Sequence, residues 1–293
     1  MSLSSEIRAY YTHPAKMTAP GAHARAFDGL PRGLAELSST VQGLLLHEHW
    51  APAYKVQLTP ARRQESQLRS SAQMLSQALA HDPRALDVPR DPDKRVVGVC
   101  RHFAVLTVAM LRHQGVAARA RCGFGAYFRA GTFEDHWVVE YWNEKEASWL
   151  LADSQIDDLQ RNILRPKFSL LDVPRDKFVI AGDAWLQCRN GEADPGAFGI
   201  FDMRGLWFIA GNVLRDFASL NNMEMLPWDS WSVMTGPEAP IPDTTLELID
   251  RVAELTLDGD ARFTELRALY GNDERLRVPP MVFNIANRKL EDV

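Results

Sequence analysis

The spacing of apolar residues predicts helices in the first third of the chain. Residues 34–50 and 61–81 carry apolar side chains at intervals of three and four, which is typical of amphipathic helices. Residues 1–33 are rich in proline, glycine, alanine and histidine, and we expect them to form an extended N-terminal arm. Residues 82–95 contain three prolines and four aspartates, which predicts a loop.

A more apolar segment follows this loop. Residues 101–113 are apolar on more than one face, which predicts a largely buried helix with Cys100 in its first turn. Gly115 supplies a stop, because glycine tolerates the left-handed backbone conformation that ends many helices. The residues that follow, 116–128, have the composition of a strand.

Two runs rich in strand-forming residues come next, at His136–Trp142 and Trp149–Asp153. A short polar turn separates them, so we predict an antiparallel hairpin. The rest of the chain is mixed and mostly helical. Its clearest helical patterns lie at residues 210–221, 243–257 and 261–270.

The register of this hairpin has two alternatives. If Trp142 faces Trp149, residue 138 faces Asp153, and Asp153 lies diagonal to His136. If the register is two residues tighter, His136 faces Asp153 directly. In both cases the two side chains share one face of the hairpin, because side chains alternate with a period of two.

These patterns together predict an α+β fold, in which the helix that begins at Cys100 packs against an antiparallel sheet, with further helices added. We expect the N-terminal arm over residues 1–33 and the core over residues 34–157. Residues 158–293 are expected to form a mostly helical C-terminal extension packed on that core, within the same domain or as a cap.

Composition narrows the choice of partner. The chain has 293 residues, 46% hydrophobic and 24% charged, with a net charge of −5. The basic residues form no stripe or tail, so we expect neither nucleic acid nor a membrane surface as partner. The start of the chain lacks the pattern of a signal peptide, and no apolar run is long enough to span a membrane, so we expect a cytoplasmic protein.

The chain contains three cysteines, at positions 100, 122 and 188, without the spacing of a metal site. An odd number of cysteines argues against a disulfide framework, and we expect Cys122 and Cys188 to be buried and inert. His47 and His49 lie two residues apart, so on the predicted helix they point in different directions. We therefore expect no metal site and no cofactor.

The predicted position of Cys100 suits a nucleophile. Unpaired backbone N–H groups and the macrodipole at a helix N-terminus favour an anion, and the thiolate is the reactive form of cysteine. A histidine that pairs with the thiolate can later protonate the leaving group, and a carboxylate can hold the imidazole in the required orientation. His136 and Asp153 are the candidates for these two roles.

The same residues resemble the papain-like Cys-His-Asp core of the transglutaminase-like superfamily, the core of its cysteine proteases and transglutaminases. The resemblance rests on four stretches within residues 96–157, a span of about a fifth of the chain: Gly98–Ala104, Leu111–Arg119, Asp135–Glu140 and Trp149–Asp153. It implies that Cys100 is the nucleophile, His136 the general base and acid, and Asp153 the orienting group. Ser154-Gln155 departs from the proline-threonine pair that many family members have after the aspartate.

The expected substrate is a peptide or a small-molecule amide or ester, with hydrolysis favoured over transfer to an amine. A non-catalytic protein- or ligand-binding module on the same fold is the alternative of a different class. Four residues are candidates to contact substrate, although packing or solvated roles are the plainer interpretation: Arg101, Arg121, Tyr127 and Trp137.

Overall fold

The computed structural model describes residues 2–293. Its helices are α1 Ser5–Thr12, α2 Leu34–Leu44, α3 Pro60–Arg63, α4 Ser71–His81, α5 Cys100–His113, α6 Asp158–Leu164, α7 Ala181–Arg189, α8 Leu206–Leu220, α9 Asp243–Leu257 and α10 Phe263–Asn272. Its strands are β1 Leu45–His47, β2 Val96–Gly98, β3 Ala118–Gly125, β4 Phe133–Asn143, β5 Ser148–Ala152, β6 Phe178–Ile180, β7 Phe198–Ile200, β8 Met203–Arg204, β9 Asp229–Ser230, β10 Met281–Asn284 and β11 Lys289–Asp292. The mixture of helices and sheets confirms the predicted α+β class.

The chain forms two compact units, neither of which is continuous in sequence. The first unit comprises the residues up to Ala120 together with Val138–Val173. The second comprises Arg121–Trp137 and Pro174–Val293. Both boundaries near the middle of the chain fall inside strands, because β3 and β4 each contribute residues to both units.

The first unit is built around α5. Every residue of this helix from Cys100 to Arg112 is buried, and α1, α2 and α4 pack against it. β1 and β2 form a parallel pair in which Leu45 lies opposite Val96. β5 pairs with β4 in antiparallel orientation.

The second unit combines short strands with helices α7, α8 and α9, which pack on one another. β3 pairs with β6, and β4 pairs with β7, which in turn pairs with β8. The order in this six-stranded sheet is β6-β3-β4-β7-β8, with β5 on β4. A separate three-stranded sheet has the order β11-β10-β9.

Three sequence-based predictions in the first unit need correction. Residues 1–33 are folded rather than extended: Ser4 caps α1, and Tyr11 is buried with its ring 5.8 Å from that of Trp149. The helix predicted over 34–50 ends at Leu44, because the next three residues pair with β2. The helix predicted over 61–81 is interrupted, since Ser70 and Gln73 form a capping box that starts α4 afresh.

The other predicted elements agree with the structure. α5 begins at Cys100, and Gly115 has a φ of 81°, the left-handed conformation expected after a helix. Helices occupy most of the three C-terminal segments with helical patterns. No helix within residues 2–293 is long and apolar enough to cross a membrane.

Candidate functional site

Cys100 is the first residue of α5 and is 6% exposed. The helix behind it is buried along its length, so packing on all sides fixes the position of its first turn. The N-terminus of this fourteen-residue helix presents backbone N–H groups and the positive end of the macrodipole. A negatively charged group is stabilised at such a helix start.

The strand that leads into Cys100 is anchored by a buried carboxylate. The Oε2 atom of Glu65 accepts a hydrogen bond from the backbone N–H of Val97 at 2.8 Å. The other oxygen of Glu65 lies 2.8 Å from Nε of Arg62 and 2.8 Å from Nε2 of His81. Because these contacts are only slightly exposed, they hold β2 in one position just before Cys100.

His102 stabilises the backbone directly after β2. Its Nδ1 atom accepts a hydrogen bond from the backbone N–H of Val99 at 3.1 Å. The ring packs so tightly on Gly98 that a Cβ atom there would lie 2.9 Å from both Cβ and Cγ of His102. The glycine two residues before Cys100 is therefore required by packing against His102, at a position where φ is not positive.

His136 lies in β4 and is 2% exposed. Three aromatic rings surround its imidazole, with centroid distances of 4.8 Å to Phe128, 6.0 Å to Tyr127 and 6.4 Å to Phe178. Each meets the imidazole edge to face. The apolar walls restrict the rotation of the imidazole and limit its access to water.

Two of these aromatic rings pack against Gly125, the last residue of β3. A Cβ atom at this position would lie 2.7 Å from Cε2 of Phe128 and 3.2 Å from Cζ of Tyr127. A side chain at 125 would therefore displace both rings from the imidazole of His136. Tyr127 itself is partly exposed.

Asp135, the neighbour of His136, is a second acid that the sequence interpretation missed. The Nδ2 group of Asn212 donates a hydrogen bond to its Oδ1 atom at 2.7 Å. Desolvation raises the pKa of Asp135, while the nearby Arg215, Asn212 and His136 act in the opposite direction. The sequence signal that could have identified Asp135 was its position directly before His136.

Asp153 follows β5 directly and is 2% exposed. Its backbone N–H donates to the carbonyl of Leu170 at 2.8 Å. Its Oδ1 atom accepts a hydrogen bond from the backbone N–H of Gln155 at 2.9 Å. Gln42 holds the next turn, because its Nε2 group donates to the carbonyls of Ser154 at 3.1 Å and Ile156 at 3.3 Å. These bonds fix the orientation of the Asp153 carboxylate.

The register of β4 and β5 agrees with the first of the two predicted alternatives. Trp142 lies opposite Trp149, and Val139 lies opposite Ala152. The two indole rings meet edge to face with centroids 5.7 Å apart. The tighter alternative is wrong.

A chain of hydrogen bonds, buried at Gln155 and partly buried beyond Gln160, continues from Gln155. Its Nε2 group donates to Oε1 of Gln160 at 3.1 Å, and Nε2 of Gln160 donates to the hydroxyl of Tyr54 at 3.1 Å. The Tyr54 hydroxyl donates to Oδ2 of Asp157 at 2.7 Å. We call these four residues the amide relay.

Three of the four substrate-contact candidates are buried. Arg101 is fully buried, with Nη1 donating to the carbonyl of Arg69 at 2.5 Å. Arg121 is 2% exposed and forms a two-pronged pair with Asp216, through Nε at 3.0 Å and Nη2 at 2.8 Å. Trp137 is 1% exposed. Burial favours packing roles for these three, and the solvated interpretation of Arg121 is wrong because Asp216 neutralises it inside the second unit.

The remaining cysteines and histidines form no second centre. Cys122 is buried as expected, whereas Cys188 is partly exposed rather than buried. Burial, with a smaller effect of Asp194, raises the pKa of Cys188 to about 11. Within residues 2–293 no group of three histidine, cysteine or acidic side chains could hold a metal ion.

One part of the chain matches a known protein family. Residues 52–154, about a third of the chain, match the model of the transglutaminase-like superfamily. Among solved structures, the chain resembles a candidate cysteine protease from Cytophaga hutchinsonii with 14% identity and a TM-score of 0.37. The match covers 61% of this chain and 46% of that protein, so less than half of its length is represented here. No curated protein shows significant similarity.

The matched segment contains Cys100, His136 and Asp153, and it includes the helix start, the strand and the strand end that the sequence pattern predicted. Residues 52–154 of the chain therefore resemble the transglutaminase-like superfamily.

Proposed function

We propose that the protein is a cysteine-nucleophile enzyme that hydrolyses an amide or peptide bond through Cys100, His136 and Asp153. The Cys100 thiolate attacks the carbonyl carbon, and the amine leaves with a proton from the His136 imidazolium. Water then attacks the resulting thioester while His136 takes up its proton. The products are a carboxylic acid and the regenerated thiolate–imidazolium pair.

The β4–β5 register carries this proposal. Trp142 pairs with Trp149, so continuing the same register by one residue beyond β5 sets Asp153 opposite Val138. His136 is two residues further along β4, and side chains two residues apart in a strand lie on the same face. Side-chain alternation along β4 thus sets His136 on the same face of the strand as Val138, the residue opposite Asp153.

Two local features support the roles of the other groups. Cys100 lies at the N-terminus of a buried helix, where an anion is stabilised and where its own backbone N–H can serve as one donor to an oxyanion. The Asp153 carboxylate already accepts a hydrogen bond from Gln155 N–H, which restricts its rotation. A carboxylate held in this way suits the task of orienting an imidazole.

Hydrolysis is favoured over transfer because water is always available, whereas transfer to an amine needs a built acceptor site. An amide-forming transferase that uses the same thioester is the alternative within this class. The two reactions are separated by adding a primary amine to an acyl-donor assay. A new amide product that rises with amine concentration identifies a transferase, and release of the free acid alone identifies a hydrolase.

The first test measures iodoacetamide labelling of the three cysteines as a function of pH, resolved by mass spectrometry. We expect Cys100 to be alkylated at about pH 5–6, where an unactivated thiol is almost entirely protonated. His136→Ala should abolish this low-pH labelling, because no imidazolium then stabilises the thiolate. Asp153→Asn should weaken it.

His113→Ala is the matched control. His113 lies on α5, the same helix as Cys100, and its Nε2 atom contacts Asp28 at the surface at 3.1 Å. This variant should label like the wild type. If Cys100 reacts no faster than a free thiol, or if His113→Ala has the same effect as His136→Ala, the catalytic proposal fails and a binding module becomes the better model.

A further inference from the structure

The side-chain oxygen of Gln155 is a buried hydrogen-bond acceptor that no protein group fills. Gln155 is 2% exposed, and its Oε1 atom has no hydrogen-bond partner among residues 2–293. Its Nε2 group, in contrast, donates to Gln160. Since nearly all buried polar atoms in proteins are paired, an unpaired acceptor of this kind needs an explanation.

The amide relay fixes which end of Gln155 carries the oxygen. The Asp157 carboxylate accepts from Tyr54, whose pKa is raised by burial, so the phenol stays protonated and donates. Tyr54 therefore accepts from the Nε2 group of Gln160, and Oε1 of Gln160 accepts from Gln155. Reversing the Gln155 amide would bring two oxygens together, so its oxygen must point away from the relay.

The backbone around Gln155 is held as firmly as the side chain. Gln42 donates to the carbonyls on both sides of it, at Ser154 and Ile156. The N–H of Gln155 donates to Asp153. Small backbone shifts cannot turn the oxygen towards another protein donor without breaking these bonds, so the acceptor is part of the fold.

Two further contacts connect this segment to the elements that flank Cys100. Gln42 lies in the last turn of α2, directly before β1, which pairs with the strand that leads to Cys100. The guanidinium of Arg95, five residues before Cys100, lies 5.8 Å from the centre of the Tyr54 ring. The unpaired oxygen thus belongs to the part of the first unit that positions the nucleophile and Asp153.

We propose that Oε1 of Gln155 accepts a hydrogen bond from an amide N–H of the substrate, which makes Gln155 a specificity-determining residue. This inference rests on the proposed function. A neutral donor is favoured because the acceptor is itself neutral and buried, and because the Arg95 charge beside the relay disfavours an ammonium group. The site would therefore select acyl groups that carry a secondary or primary amide over those that lack an N–H.

The test compares two alkylating probes of the same reacting carbon. Iodoacetamide carries two N–H groups, and N,N-dimethyl iodoacetamide carries none. The rates of Cys100 labelling by both probes are divided by their rates with free cysteine, which removes the intrinsic difference in reactivity. We expect the wild type to prefer iodoacetamide by about tenfold after this correction, as for one buried hydrogen bond.

The matched variant is Gln155→Met, which keeps the length of the side chain and removes the acceptor. Its corrected preference should fall to about one. A wild-type preference of one means that water fills the site and overturns the inference. A preference that persists in Gln155→Met is steric in origin and also overturns it.

A second variant covers the case in which Gln155→Met does not fold. Gln160→Met breaks the relay one step earlier and lets the Gln155 amide rotate, so the preference for iodoacetamide should decrease; an unchanged preference overturns the inference. The pH profile of Cys100 labelling in the wild type tests the proposed function separately. Failure of that profile, with no labelling at low pH, would reject the enzyme itself.

Discussion

The Nδ1 atom of His102 accepts a hydrogen bond from the backbone N–H of Val99, the residue that precedes the candidate nucleophile. An N–H group can only donate, so this imidazole is neutral with its proton on Nε2. Burial, together with the neighbouring charge of Arg101, lowers the pKa of His102 to about 3. The carbonyls of Leu68 and Ser66 oppose this shift, although neither forms a well-aligned hydrogen bond with Nε2.

The neutral state of His102 predicts a loss of stability in mild acid. In the unfolded chain histidine becomes protonated near pH 6.5, so between about 6.5 and 3 the unfolded state binds more protons. The free energy of unfolding therefore falls as pH falls through this range. Because His102→Gln keeps an acceptor and does not titrate, we expect the wild type to lose about 2 kcal/mol more than this variant between pH 7 and pH 5.

Urea denaturation of both proteins at the two pH values measures this difference. Equal losses in the two proteins would mean that His102 is not neutral in the folded state. The labelling of Cys100 by iodoacetamide in His102→Gln should remain close to that of the wild type, because the carboxamide oxygen can still accept from Val99.

Gly98→Ala should destabilise the protein by about 1–3 kcal/mol, as expected when a methyl group is forced into a packed site. The added Cβ would lie 2.9 Å from two atoms of His102. Gly271→Ala is the control, since a Cβ atom there meets nothing within 4 Å, and it should be neutral or stabilising. Thermal melts of both variants decide the matter, and equal melting temperatures would contradict the packing argument.

The buried pair of Arg121 and Asp216 should be costly to break. Asp216→Ala leaves an unpaired guanidinium in the interior of the second unit and should cost about 3–5 kcal/mol. The double variant Arg121→Met, Asp216→Leu should cost less than the single change. Glu274→Ala, which breaks an exposed pair with Arg277, should cost at most about 1 kcal/mol. Chemical denaturation curves that rank the three variants differently would refute this account.

Cys188 should resist alkylation until strongly alkaline pH. Its pKa is raised to about 11 by burial and by Asp194, so the thiolate fraction at pH 8 is about a hundredfold below that of a free cysteine. Asp194→Asn removes one cause of the shift and should modestly accelerate the labelling. Rapid modification of Cys188 at neutral pH, followed by mass spectrometry, would show that its thiol is not desolvated.

The start of α5 and the formation of the hairpin were predictable because local signals determine them. The apolar segment after Cys100 indicates a buried helix, and Gly115 marks its end. The short polar turn between two strand-forming runs indicates the hairpin but leaves two registers, of which the structure has the one that pairs Trp142 with Trp149. Each of these inferences uses residues less than twenty positions apart.

Contacts between distant residues were beyond such reasoning. Leu45 pairs with Val96 through strands of three residues, which are too short to show a period. Arg121 resembled a surface residue because its partner, Asp216, lies 95 positions later. The folding of the N-terminal segment depends in the same way on packing of Tyr11 against Trp149. Tertiary contacts therefore override the local pattern at these positions.

The interleaved division of the chain has a consequence for synthesis on the ribosome. The first unit cannot be completed until Val173 has emerged from the ribosome. The second unit cannot form until the segment that begins at Pro174 has also emerged, although its residues Arg121–Trp137 are synthesised earlier. β3 and β4 both cross the boundary, so during this interval each is a partly unpaired strand. A nascent chain stalled near residue 157 would expose these edges, which makes the middle of this protein the stage of synthesis most in need of a chaperone.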